Sequence, residues 1–218
     1  NDQKLLVDKH VRKAADNDDD DTPDVMADLR DRLTRDEKGR LFVDGFLLSH
    51  PDKDHICGLE SHFHLGPPDE WKKDDDKILI REMWSSPVVF RRASKDHVLC
   101  EDAKAWAKEA RRRVALYREK GSITVEGDRI QIMGEDEDGK TDDILEIVVK
   151  CDGVVNKLNR VTSGTFEGRL LAPIPHSDDE ELEELLGKNH SSVVLRFSIR
   201  GGGILDKCRF LTGGDAEV

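Results

Sequence analysis

An apolar run, LFVDGFLLS (41–49), empties without a spacer into HPDKDHICGL (50–59). A run this apolar and this short reads as a strand buried in a sheet. Its continuation is unusual: His50, Asp52, Asp54 and His55 fall within six residues of the strand's end. Successive residues of a tight turn fan around a point instead of alternating across a sheet. A buried strand therefore holds two imidazoles and two carboxylates at one place on the sheet's carboxyl edge, with Gly58 letting the chain turn into its next element. Neutral imidazoles and carboxylates are ligands for divalent metals, which want three or four such groups converging on one centre. The bland alternative is a polar surface turn.

The rest of the chain frames this turn with mixed elements. QKLLVDKH (3–10) reads as a strand running into Asp8, and ADNDDDDTPD (15–24) as an acidic loop without the spacing of an EF-hand. PDVMADLRDRLTRD (23–36) has helical spacing of Val25, Met26, Leu29 and Leu33, and Pro23 or Asp24 starts it. LGPPDEWKKDDD (65–76) is a loop and KILIREMW (77–84) a strand. The pattern from Ser94 to Gly121 predicts a long helix, capped by Ser94 or Asp96 and burying Leu99, Ala103, Trp106, Ala110, Val114 and Tyr117. SITVEG, DRIQIMG and DILEIVVKCDG read as strands, HSDDEELEELLGKN (176–189) as a short acidic helix, and RGGGIL as a hairpin turn. The strands it joins, SSVVLRFSIRGGG and CRFLTGGDAEV, are apolar enough to be covered on both faces. With 218 residues, no internal repeat and no linker, the expectation is one α/β (α+β) domain over 1–218, with a helical and loop insertion around 65–121.

Charge and cysteine content narrow the function. A net charge of −12 argues against a general nucleic-acid footprint, though not against a local basic patch. No apolar run reaches the roughly 20 residues of a membrane span, and the first ten residues hold no apolar signal-peptide core. Cys57, Cys100, Cys151 and Cys208 are far apart and form no CxxC pair, which points to ordinary thiols in a reducing cytoplasm.

LSHPDKDHICGL resembles the metal-binding turn of the metallo-β-lactamase-fold hydrolases, His-x-His-x-Asp-His, with Asp52 in place of the second histidine. That replacement resembles the branch containing the hydrolase domain of bacterial ComEC-type DNA-uptake proteins. Three further stretches fit in the same order. KLLVDKH is similar to the first motif, with Asp8 orienting the turn. NHSSVVLRF is similar to the strand near the third motif, with Asn189 and His190 at the ligand position. FLTGGDAEV is similar to the fourth, with Asp215 as the bridging carboxylate. Residues 65–175 fit only loosely.

The resemblance implies an αββα sandwich, incomplete because the strands preceding the first motif and the family's last histidine are not in this stretch. A protein partner or a further segment would complete it. It implies two ions of zinc or manganese, the harder Asp52 favouring manganese. His50, Asp52 and His190 would serve one ion, Asp54 and His55 the other, and Asp215 would bridge them, with Asp54 also orienting the nucleophilic water. The implied activity is phosphodiester hydrolysis of nucleic acid or a related substrate. Arg91, Arg92 and Lys95 in VVFRRASK, and the arginines of EARRRV (109–114), supply cations for phosphates, with Trp84, Phe90 and Trp106 nearby in sequence; Trp106 is the one that helical spacing places in the core. Alternatively Arg111, Arg112 and Arg113 form a solvated helix face. His62 and His64 are extra ligands or ordinary surface histidines. The competing functions are a non-catalytic metal-binding or regulatory module, and a hydrolase of a small thioester, lactone or lactam.

Overall fold

The structure, a computed structural model, describes residues 3–11, 23–87, 99–135, 139–173, 192–201 and 204–214. Strand β1 (Leu5–Val7) is followed by helix α1 (Val25–Arg32), whose amino end Asp24 caps by accepting from the amides of Met26 and Ala27 at 3.0 Å each. The apolar run 41–48 is divided by Asp44 into β2 (Phe42–Val43) and β3 (Gly45–Leu48). Two single-turn helices, α2 (Lys53–Ile56) and α3 (Leu59–His62), lead to β4 (Phe63–His64). The run 77–84 is divided in the same way by Arg81, giving β5 (Ile78–Ile80) and β6 (Glu82–Ser85).

Both divisions lie at one level. The first halves join a parallel sheet in the order β2-β5-β4. The second halves join a longer parallel sheet, β1-β3-β6-β7-β8, with β7 (Arg129–Met133) and β8 (Val148–Val149). The Arg81 guanidinium fastens the crease. It reaches Asp44 at 3.1 Å and Glu126 at 2.9 Å, and stacks 3.3 Å from the centre of the Phe42 ring.

Helix α4 (Glu101–Lys120) packs on this parallel layer. Its buried face is the expected one: Ala103, Trp106, Ala110, Val114 and Tyr117 join Phe46, Phe63, Ile80 and Ile132 in a continuous core. Gly121 ends it at φ +69°, its amide donating to Tyr117 O at 2.7 Å. The stretch 65–121 supplies β5, β6 and α4 to this packing. The start of the helix differs from expectation. Cys100, in extended conformation, occupies the cap position; Ser94 and Asp96 lie outside the described residues.

Two arginines of α4 differ from both expectations, while Arg111 is exposed as on a solvated helix face. Arg113 is fully buried and its Nε donates to Glu109 Oε1 at 2.7 Å, while its two terminal nitrogens donate to Arg129 O and Ile80 O at 2.9 and 3.2 Å. Arg112 bridges Glu109 and Asp128. These two cations bind the helix to the sheet and are unavailable to a phosphate backbone. Trp84, fully buried, likewise forms no rim.

The second half of the chain builds an antiparallel sheet against the other face. After β9 (Val154–Val155) come the hairpin β10 (Lys157–Leu158) and β11 (Val161–Thr162), then β12 (Phe166–Ala172), β13 (Val194–Gly201) and β14 (Ile204–Thr212). The sheet order is β14-β13-β12-β9. Leu170, Leu195 and Phe197 from this sheet meet Leu47, Trp84 and Met133 from the parallel one in a second core. The described residues thus form helices, a parallel layer and an antiparallel layer, a mixed α/β architecture.

Three strand expectations change. SITVEG is a turn, because Glu126 is drawn to Arg81 and Gly127 adopts φ +100° with its amide on Arg81 O. The first five residues of DILEIVVKCDG lie in a 3-10 stretch (Asp142–Ile147) that buries Ile144, leaving two residues for β8. The final pair, joined with Gly201 opposite Ile204, is not covered on both faces along its length. Ile199, Ile204, Phe210 and Leu211 are exposed, on both faces of the pair, since Phe210 lies opposite Phe197 and Leu211 opposite Arg196. The acidic run before Pro23 and the expected helix at 176–189 lie outside the described residues.

Candidate site at the carboxyl ends of β1 and β3

Parallel pairing sets Val7 beside Leu47, so the residues leaving the two strands, Asp8 and Ser49, emerge together. Asp8 takes φ +47°, an uncommon conformation for a residue with a side chain, and its amide donates to Leu47 O at 2.9 Å. The turn directs its carboxylate along the edge. Oδ1 accepts the Ser49 amide at 2.7 Å, and Oδ2 accepts the Ser49 hydroxyl at 2.6 Å and sits 2.9 Å from His55 Nδ1. A carboxylate beside Nδ1 selects the tautomer protonated there, and leaves the lone pair of the ring on Nε2.

His50 is 2% exposed and its Nδ1 lies 3.2 Å from the Ser49 hydroxyl. The rings of His50 and His55 stand 4.1 Å apart, tilted by 52°. Each imidazole has a carboxylate of the same turn near its Nε2. Asp52 Oδ2 is 3.8 Å from His50, and Asp54 Oδ2 is 3.5 Å from His55. Asp52 is largely covered, whereas Asp54 faces solvent.

The structure therefore brings together Asp8, His50, Asp52, Asp54 and His55. His190, Asn189, Asp215, Arg91, Arg92 and Lys95 lie outside the described residues. Their described neighbours touch the turn: the amide of Val193 donates to Ser49 O at 2.9 Å. The backbone of Gly214 is so close that an added Cβ would stand 2.6 Å from Ser49 Oγ and 3.4 Å from His50 Nδ1. His64 is engaged elsewhere, its Nε2 lying 2.9 Å from Pro67 O, and His62 ends α3.

The donor chemistry fits a divalent metal: two imidazoles with hard carboxylate oxygens, one ring oriented by a second carboxylate. Among the described residues these donors stand as two pairs, and no group of three or more is arranged to hold an ion.

Two residues missed in the sequence hold the turn from outside. Asp102, in the first turn of α4, accepts the amides of Gly58 at 2.7 Å and Glu60 at 2.9 Å. Lys9 follows Asp8 into the interior, donates to Cys57 O at 3.1 Å, and lies 5.2 Å from the centre of the Phe63 ring. Neither carries a sequence signal, because each partner is far along the chain.

Burial pulls the Lys9 ammonium from its usual 10.5 down to about 8, against Asp102 and Cys57, which raise it. The unfolded chain then binds more protons than the folded one between these values, so stability rises with pH across that window. Lys9→Met should be the more stable protein at pH 7, by about 2 kcal/mol. That advantage should close by pH 10.5, the unfolded value. Urea unfolding of both proteins across the range tests this, and a gap independent of pH would refute it.

All four cysteines are free thiols, Cys208 exposed and the others half-buried. Among the described residues no helix is long and apolar enough to cross a membrane. Comparison with protein families, with curated proteins and with solved structures returns no match.

Proposed function

We propose that the chain is a metal-dependent hydrolase of phosphodiester bonds, acting in the cytoplasm on nucleic acid or a related substrate. The fold would be the metallo-β-lactamase sandwich of the ComEC-type branch. The observation that carries this reading is the Asp8 carboxylate holding Ser49 and His55 where two parallel strands, half-buried β1 and buried β3, end. A hydrolase needs its ligands on rigid elements with their rings fixed by outer partners, and this cluster supplies both.

His50, Asp52 and His55 would hold zinc or manganese, with His190 and Asp215 completing a two-ion site. Bound ions would lower the pKa of a shared water and clamp the phosphate oxygens. Asp8 keeps His55 protonated on Nδ1. Asp54, which faces solvent, would orient the attacking water and accept its proton. Arg91, Arg92 and Lys95 would meet the substrate's phosphates.

A second reading, a metal-binding module without turnover, is favoured by the separation of the described donors into two pairs. Elemental mass spectrometry of the purified wild type and His55→Ala distinguishes them when followed by hydrolysis of a chromogenic phosphodiester. About two equivalents of metal, lost in the variant together with turnover, support the hydrolase. Metal without turnover selects the binding module. A folded wild type that carries no metal and takes up none overturns both.

A further inference from the structure

The side of the antiparallel sheet turned away from the parallel layer collects arginines. Register puts Arg169 of β12 directly opposite Arg196 of β13, with Val154 of β9 beyond the one and Leu211 of β14 beyond the other. Two residues further along, Glu167 stands opposite Ser198, and Ser198 opposite Arg209. The row between, Gly168, Phe197 and Phe210, belongs to the other side, where Phe197 is buried in the second core. Arg196, Arg200 and Arg209 are exposed, and Arg169 is half-buried.

The sheet itself gives no reason for this arrangement. Like charges directly opposite each other on a strand pair are destabilising, and Arg169 and Arg196 are such a pair. Arg169 Nη1 donates to Asp152 O at 2.9 Å, and Arg200 Nη2 to Glu167 Oε2 at 3.2 Å. Glu167 is the one carboxylate among the described side chains of these outward rows, against four arginines. On a chain of net charge −12 they form a local island of positive potential. Opposite and diagonal cross-strand neighbours stand about 5–8 Å apart, a spacing that suits successive phosphates of one polynucleotide strand. Leu211 and Val154, 61% and 44% exposed, add aliphatic surface on which a base rests beside a guanidinium plane.

This face is continuous with the Asp8 turn. β13 begins beside the turn, where the Val193 amide donates to Ser49 O, and β14 ends beside it, where Gly214 approaches Ser49. Arg196 lies three residues along from Val193, roughly 10 Å at the usual rise of a strand. A polyanion passing from the turn onto the face must bend around the end of the sheet. A duplex, with a persistence length of about 150 base pairs, resists that bend, whereas a single strand follows it. A second copy of the same face would set arginines against arginines.

We propose that the outer face of β12, β13 and β14 holds the phosphate backbone of a single-stranded nucleic acid and leads it to the turn. Arg169, Arg196 and Arg209 each meet a phosphate. The identity of the polyanion rests on the phosphodiester reading above. Contacts to phosphates alone read neither sugar nor base, so DNA and RNA strands bind alike.

Fluorescence anisotropy of a labelled short oligothymidylate tests this, with the full chain titrated from low to physiological salt and read immediately after mixing. The logarithm of affinity should fall against the logarithm of salt with a slope of about −2, three phosphates at about 0.7 each. Arg196→Gln/Arg209→Gln should weaken binding at least about tenfold and reduce the slope by about 1.4. Its Tm should equal or exceed that of wild type, because the opposed charges are relieved. Lys104→Gln/Lys108→Gln removes the same charge from exposed positions of α4 and should bind as wild type does. Oligouridylate should match oligothymidylate. His55→Ala should bind undiminished, so binding without turnover would support the face and count against the hydrolase reading alone. Absence of binding by wild type, equal weakening in the two double variants, or a duplex bound as tightly as the single strand would overturn the proposal. So would a preference for phosphatidylserine vesicles over the oligonucleotide.

Discussion

Glu109→Ala should lower the unfolding free energy by about 3–5 kcal/mol, because it leaves the fully buried Arg113 without its countercharge. The same carboxylate also accepts the Gly66 amide at 2.9 Å and two nitrogens of Arg112, so one truncation orphans several donors at once. Burial pushes the Glu109 carboxyl up, but Arg112 and Arg113 override it and hold the group below its ordinary value. A depressed carboxylate contributes stability above the unfolded value of 4.5 and loses it as pH falls through the folded one. The gap between Glu109→Ala and wild type should therefore be full at pH 7 and narrow on acidification below about pH 4. The double variant Glu109→Leu/Arg113→Met should recover much of the loss, since an apolar pair avoids the cost of burying charge. Urea denaturation measures all three, and a single-variant loss under about 1 kcal/mol would mean that the ion pair is replaceable by water.

The second large effect is expected at Gly214. A methyl group there would stand 2.6 Å from Ser49 Oγ and 2.9 Å from Ser49 Cβ, on a residue at φ +51°. Ser49 cannot withdraw cheaply, because its hydroxyl and amide are both bound to Asp8. Gly214→Ala should thus displace the Asp8–Ser49–His50 cluster and, at the proposed metal site, weaken metal uptake by about 10- to 100-fold. Gly213→Ala is the matched control, with nothing within 4 Å of its added methyl. Equal metal affinity in the two variants would show that the approach of Gly214 does not shape the site.

Local pattern was legible wherever one segment determined its own structure. The run 41–49, the Asp24 start, the buried face of α4 and its Gly121 stop all follow from residues within one or two turns of each other. The grouping of His50, Asp52, Asp54 and His55 was visible because the strand and turn that carry them are contiguous, whereas Asp8, distant in sequence, was joined to them only by the family resemblance. Failures came where distant partners decide. Arg112 and Arg113 read as solvated because Glu109, Asp128 and the carbonyls of Ile80 and Arg129 converge only in the fold. SITVEG has strand propensity, but Arg81, some 45 residues away, claims Glu126. The apolar runs of β13 and β14 suggested two covered faces, yet exposed Phe210 still stacks on Phe197 at 4.7 Å along the strand pair.

Contact of Gly214 with Ser49 and His50 joins positions more than 160 residues apart in the sequence. A ribosome adding roughly 5–20 residues per second needs on the order of ten seconds or more to travel that distance. Throughout that interval the histidine turn can already rest on its strand, but one wall of its pocket has not been made. The described imidazoles and carboxylates of the turn would thus stand together well before the wall that Gly214 supplies is synthesised, and the turn would be closed only after more than 160 further residues have been added.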